Sequence, residues 1–234
     1  MPSVSTAQDL GPAIAAELDQ IHAELATSAA ALSTLLKIDE AGQIQAISDE
    51  TQDLIFTRAR ALMTELPLVH GSGVILDIDR AELPTQSIMW QIRDGEDFAT
   101  YNFSFEGSGP EYYDFKQQPW YAMPVSTKQP NTFGPYFDYT GVDEFIVTLT
   151  SPYYDATGLV ALAGADVTVD ALQQWFTQAT RGLPGTFVLA HPEGRILCAN
   201  SARFLPGTKI DSSSGLIAKP LPTMQPTFTL WRAP

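Results

Sequence analysis

The sequence predicts an α+β fold: a long N-terminal helix, then two modules of antiparallel sheet, the second of them small. Three observations carry this. Apolar residues first recur at three- and four-residue intervals, then change to the two-residue alternation of strands. A joint made of Gly182, Pro184 and Gly185 then precedes a shorter set of strand patterns. The expected boundaries are 1–48 for the helix and its connection, 49–181 for the larger module and 182–234 for the smaller one.

The first helix is expected from about Ala7 to Leu36. Ile14, Leu18, Ile21, Leu25, Leu32 and Leu35 form one narrow stripe, with Ser28 at the open position. Such a stripe either lies along the body of its own chain or pairs with a second copy in a homodimer. A second helix follows from about Asp49 to Leu66, with Ile55, Ala59, Leu62 and Leu66 inward and Pro67 as the stop. Strand candidates begin at Gly73 (GVILDID), Ser87 (SIMWQIR) and Phe98 (FATYNFSF), the last alternating at Tyr101, Phe103 and Phe105. EFIVTLTSPYYD and LVALAGADVTV read as a hairpin turning through Asp155 to Gly158. DALQQWFTQAT is a helix capped by Asp170. TFVLAHPEGRILCAN is a second hairpin, and TFTLWRAP closes the small sheet.

Composition excludes several classes of function. Net charge is −14, from 27 acidic and 13 basic residues, with no cluster of Lys and Arg to hold nucleic acid or anionic lipid. Cys198 is the single cysteine, so no internal disulfide can form. Neither a signal peptide nor a run of about 18 apolar residues is present. His22, His70 and His191 are scattered without metal-ligand spacing. Gly71-Ser72-Gly73 and Gly107-Ser108-Gly109 read as loops that no helix follows, so they make no phosphate cradle. Asp77 and Asp79 lack the twelve-residue loop of a calcium hand. Neither a metal nor a cofactor is expected, nor an enzyme.

One stretch stands out, Tyr112 to Tyr139 (YYDFKQQPWYAMPVSTKQPNTFGPYFDY). Tyr112, Tyr113, Trp120, Tyr121, Tyr136 and Tyr139 are spread among Pro119, Pro124, Pro130 and Pro135. That pattern suits an irregular aromatic wall better than an amphipathic helix. Asp114 and Asp138 lie in the wall, and Asp166 ends the apolar run LVALAGADV. Lys116 and Lys128 are the only cations between Arg93 and Arg181. A buried carboxylate needs a partner, and here a cationic ligand could supply it. Asp138 with Asp166 is also the one carboxylate pair that would suit a hydrolase.

PWY at 119–121, GPYFDY at 134–139, IVTLTSPYYDATGLVALAGADVTVDAL and GTFVLAHPEGRILCAN together resemble the double Cache sensor domains of bacterial chemoreceptors and sensor kinases. The resemblance implies two PAS-like modules, the first binding a small molecule such as an amino acid or an amine. It implies that Trp120 and Tyr121 are paired aromatics, Tyr136 and Asp138 a Tyr-x-Asp, and Asp166 the closing acid around an ammonium group. Where amino-acid sensors of the family carry Arg two residues before the Trp, this chain has Gln118. A neutral amide cannot fork onto a carboxylate as a guanidinium does. A primary amine or quaternary ammonium compound is therefore expected, with Trp90 and Tyr101 as further walls. An α-amino acid held by a substitute cation such as Lys116 or Arg93 is the alternative, and a dimerisation scaffold with a vestigial pocket is another.

Sensor modules of this family usually lie outside the membrane between two spanning helices. This chain opens at Met1 without one, so a free-standing cytoplasmic protein read by a regulator partner is expected. The alternative is an excised periplasmic or extracellular domain of a receptor.

Overall fold

A computed structural model describes residues 4–101, 115–139, 143–223 and 228–233. Tyr112, Tyr113, Asp114, Phe103, Phe105 and the Gly107–Gly109 loop of the sequence reading lie outside these residues. The chain folds as α1 (Leu10–Leu35), α2 (Asp49–Glu65), β1 (Val69–Leu76), β2 (Ile88–Asp94), β3 (Asp97–Tyr101), α3 (Pro119–Thr127), β4 (Asn131–Phe137), β5 (Phe145–Tyr154), β6 (Leu159–Thr168), α4 (Val169–Ala179), β7 (Phe187–Ala190), β8 (Ile196–Ala199), β9 (Ile217–Pro220) and β10 (Thr229–Arg232). Two antiparallel sheets result. The first has six strands in the order β3-β2-β1-β6-β5-β4, and the second has four in the order β8-β7-β10-β9. This is the predicted α+β architecture, with a smaller second sheet.

β5 and β6 are interior strands of the first sheet and are covered on both faces, which explains their largely buried sequences. Alternation still sorts their side chains. Val147, Leu149, Ala163, Ala165 and Val167 join Ile14, Leu18, Ile21 and Leu25 of α1 in one buried cluster. The stripe on α1 therefore lies along the body of its own chain. The same cluster includes Leu189, Leu197, Leu221 and Leu230, so one apolar core runs from the first sheet to the second. His22 on α1 is buried against β4, with Nε2 at 2.8 Å from Thr132 Oγ1, and burial lowers its pKa.

The elements differ from the sequence reading in four places. Gly71-Ser72-Gly73 is not a loop but part of β1, aligned with both β2 and β6. α4 is capped by Thr168, whose hydroxyl accepts from the amide of Ala171, and Asp170 belongs to the first turn. β9, absent from the sequence reading, pairs with β10 and forms the edge of the small sheet.

The fourth difference concerns the aromatic wall, which includes a true helix, α3, and a strand, β4. Pro119 occupies its first turn, where a missing N–H costs nothing. Pro124 stands inside and deprives the Trp120 carbonyl of its helical donor. The Thr150 hydroxyl on β5 takes that place, donating to Trp120 O at 3.3 Å.

Candidate functional site

The second face of the first sheet is built differently. Register aligns Gly73 with Trp90, Ile75 with Ile88, and Trp90 in turn with Tyr101. It also sets Asp166 against both Gly71 and Thr148. All of these side chains share one face. β4 joins them through a bulge: Phe133 is opposite Thr148, while Tyr136, three residues on, is opposite Ile146. The extra residue keeps Phe133 and Tyr136 on the same side, with ring centroids 5.5 Å apart. Gly134 allows this approach, because its φ is +141° and a Cβ there would stand 2.7 Å from the Ile146 carbonyl oxygen.

α3 closes the face from above. Trp120 and Tyr121 are buried. Phe115 stacks against Trp120 at 6.3 Å and meets Tyr121 edge-on at 5.2 Å. Between helix and sheet is a cavity of about 40 Å³, lined by Ile75, Ile88, Trp90, Trp120, Tyr136, Asp138, Thr148 and Asp166. That is room for roughly three water-sized groups. Five residues singled out from the sequence thus meet in one place: Trp90, Trp120, Tyr136, Asp138 and Asp166.

The others lie further off. Tyr121 supports Trp120 from the side, and burial, followed by Asp77 and Asp79, raises its pKa. Tyr101 is at the sheet end near Asp138. Burial raises its pKa, with Asp138 and Asp143 adding to the effect. Gln118 is the residue before α3 and is not among the described residues lining the cavity. Neither substitute cation lines it. The Arg93 guanidinium donates to the carbonyls of Val69 and Met63, and Lys116 is paired with Asp79 at 2.5 Å.

Thr148 was not visible as a site residue in the sequence. Its hydroxyl donates to Asp166 Oδ1 at 2.6 Å. Having given away its only proton, it accepts from the Tyr136 hydroxyl at 2.7 Å. The chain Tyr136–Thr148–Asp166 fixes the carboxyl at the cavity floor. Asp166 is 7% exposed. Its pKa is raised to about 7, first by burial and then by the nearby charge of Asp138, against the opposing bond from Thr148. A cation in the cavity would reverse the first two effects. Among the described residues no group of three or more His, Cys, Asp or Glu is placed to hold a metal.

A six-stranded sheet with a long helix on one face and an aromatic, acidic cavity on the other, followed by a smaller sheet, is the double Cache, or PDC, sensor fold. Residues 66–174 match the family model described as the methyl-accepting chemotaxis protein-like first PDC sensor domain. That segment contains every residue lining the cavity. Among solved structures, the ligand-binding domain of the Pseudomonas aeruginosa PAO1 amino acid chemoreceptor PctC in complex with GABA is 14% identical. The likeness covers 95% of this chain and 93% of that one, with a TM-score of 0.61. The ligand-binding domain of the Campylobacter jejuni chemoreceptor Tlp3 in complex with L-valine is 13% identical, covering 96% and 89%, with a TM-score of 0.58. An extracellular ligand binding receptor from Desulfohalobium retbaense DSM5692 is 12% identical over 96% of this chain and 38% of that one, with a TM-score of 0.64. These relatives in fold are ligand-binding and sensor domains, not enzymes. No curated protein matches the sequence. Among the described residues no helix is long and apolar enough to cross a membrane.

Proposed function

We propose that residues 49–181 form a sensory module that binds a small amine-type ligand in the cavity beneath α3. The observation that supports this most is Asp166, a buried carboxyl at the floor of a cavity walled by Trp90, Trp120 and Tyr136, with Asp138 at its side. An ionised carboxylate there is costly alone and favourable beside a cation. Aromatic faces add roughly 0.5–2 kcal/mol each to a desolvated ammonium.

The two chemoreceptor domains above were solved with GABA and L-valine, both of which carry an ammonium group and a carboxylate. The present cavity retains the means to hold the first. For the second it offers no guanidinium, because Gln118 stands at the expected position and Arg93 is occupied with main-chain carbonyls. We therefore favour a primary amine or a quaternary ammonium ion over an α-amino acid. The chain is best placed outside the cytoplasm, as the sensing part of a receptor, in keeping with the extracellular receptor whose fold it shares. A cytoplasmic, free-standing form finds no support in these likenesses.

The test is calorimetric titration of the protein with a panel of amines, quaternary ammonium ions and amino acids, repeated on Asp166→Asn. Amine binding lost in the variant, with an unchanged circular dichroism spectrum, is expected. Tight binding of an amino acid with no response to the matching amine would overturn the reading.

A further inference from the structure

The size of the cavity is governed by one side chain and the bed on which it lies. Trp90 projects from β2 across β1 and β6, and the three positions beneath its indole are all glycine. A Cβ on Gly71 would stand 2.7 Å from Trp90 Nε1, on Gly73 2.8 Å from Cε3, and on Gly164 2.9 Å from Cη2 and 3.1 Å from Cζ3. None of these glycines is among those with a positive φ; at Gly73 a Cβ would also stand 2.1 Å from the Met89 carbonyl oxygen, so the ring is the main obstacle at Gly71 and Gly164. Glycine inside a strand costs roughly 0.5–1 kcal/mol relative to alanine. Three of them under one ring, on two adjacent strands, leave a trough in which the indole lies close against the sheet. Any methyl group in the trough would lift the ring into the cavity.

We infer that Trp90, seated on Gly71, Gly73 and Gly164, is the size-determining residue of the site. With the indole down, the cavity takes an ammonium head bearing hydrogens or few methyl groups and rejects one bearing larger substituents. This rests on the amine reading above and adds a steric rule to it. The aromatic walls and Asp166 attract any organic cation, and the depth left above Trp90 decides which cations enter. One misplaced methylene in a close-fitting apolar pocket is worth about 10- to 200-fold in discrimination.

The experiment is calorimetric titration with methylammonium, tetramethylammonium and tetraethylammonium. The wild-type protein is expected to bind at least one of the first two and to bind tetraethylammonium at least tenfold more weakly. Trp90→Leu should bring tetraethylammonium up to within a few fold of tetramethylammonium. Gly164→Ala should weaken the favoured small cation tenfold or more, since its methyl group meets only ring atoms closely. Adding Trp90→Phe to Gly164→Ala should restore binding, because phenylalanine lacks the far edge of the indole. That gain of binding in the double variant separates a steric effect from a folding defect. Equal affinity for small and large cations in the wild type would overturn the inference. So would a preference that Trp90→Leu leaves unchanged, and in both cases the amine reading would survive. If the wild type binds none of the three, both fall.

Discussion

β5 and β6 face two environments at once, and the contrast between them shows how a site is made from a core. On one side Val147, Leu149, Ala163, Ala165 and Val167 pack against α1. On the other, the alternate residues Thr148, Gly164 and Asp166 meet Trp90 and Tyr136. The strands, the backbone hydrogen bonds and the burial are the same. The first face is made mainly of groups that gain by leaving water, its buried His22 and Thr132 pairing with each other. The second buries a carboxyl whose preference for water is met by two hydroxyls in series, with space left above it. On the proposed reading, one side of the sheet supplies stability and the other is free to bind.

The sharpest way to break this contrast is to exchange the expected sensitivities. Leu149→Ala should lower unfolding stability by about 2–5 kcal/mol in chemical denaturation, while amine affinity in the protein that remains folded is unchanged. Asp166 should give the opposite result. Its folded pKa of about 7 lies above the unfolded value of 3.8, so between these pH values the native state holds the extra proton. Stability is then expected to fall as pH rises from about 4 to 7 and to level off above, with a total on the order of 4 kcal/mol. Denaturation measured across this range should show the slope, and Asp166→Asn should flatten it. Amine affinity, which needs the ionised form, should rise over the same interval and then plateau.

Smaller effects sharpen the comparison. Thr148→Val removes the donor to Asp166, a bond to a charged group worth about 1.5–3 kcal/mol. The midpoint of the affinity-against-pH curve should move above 7, with little change in stability at pH 5. Thr150→Val should cost about 1 kcal/mol in thermal or chemical unfolding, since it leaves the carbonyl freed by Pro124 without a donor. If either variant behaves like Leu149→Ala, the division of labour between the faces fails.

Much of the aliphatic face could be read from sequence, because its signal is local. The spacing of Ile14, Leu18, Ile21 and Leu25 and the apolar runs of β5 and β6 predict their partners in general terms. The cavity was legible where its chemistry stands out in composition, in Trp120, Tyr136, Asp138 and Asp166. The remainder depends on register between strands far apart in the chain. Gly71 and Gly73 resemble a turn when read alone, and only the arrival of Trp90 from β2 shows why a strand should carry them. Thr148 looks like any β-branched residue until Asp166 is placed opposite it. α3 was missed because two prolines argue against a helix, and the hydroxyl that answers one of them comes from β5. Tyr121 follows the family motif and Gln118 stands where that motif has Arg, yet both lie outside the described lining of the cavity.

The tie between α3 and β5 has a consequence of its own. Besides Thr150, Tyr154 on β5 donates through its hydroxyl to the carbonyl of Val125 at 2.8 Å. The short helix is thus latched at both ends to an interior strand. An arriving molecule cannot enter by swinging α3 away from the sheet without breaking both latches. Entry is instead expected along the rim away from them, toward Tyr136 near the end of β4 and Asp138 just beyond it.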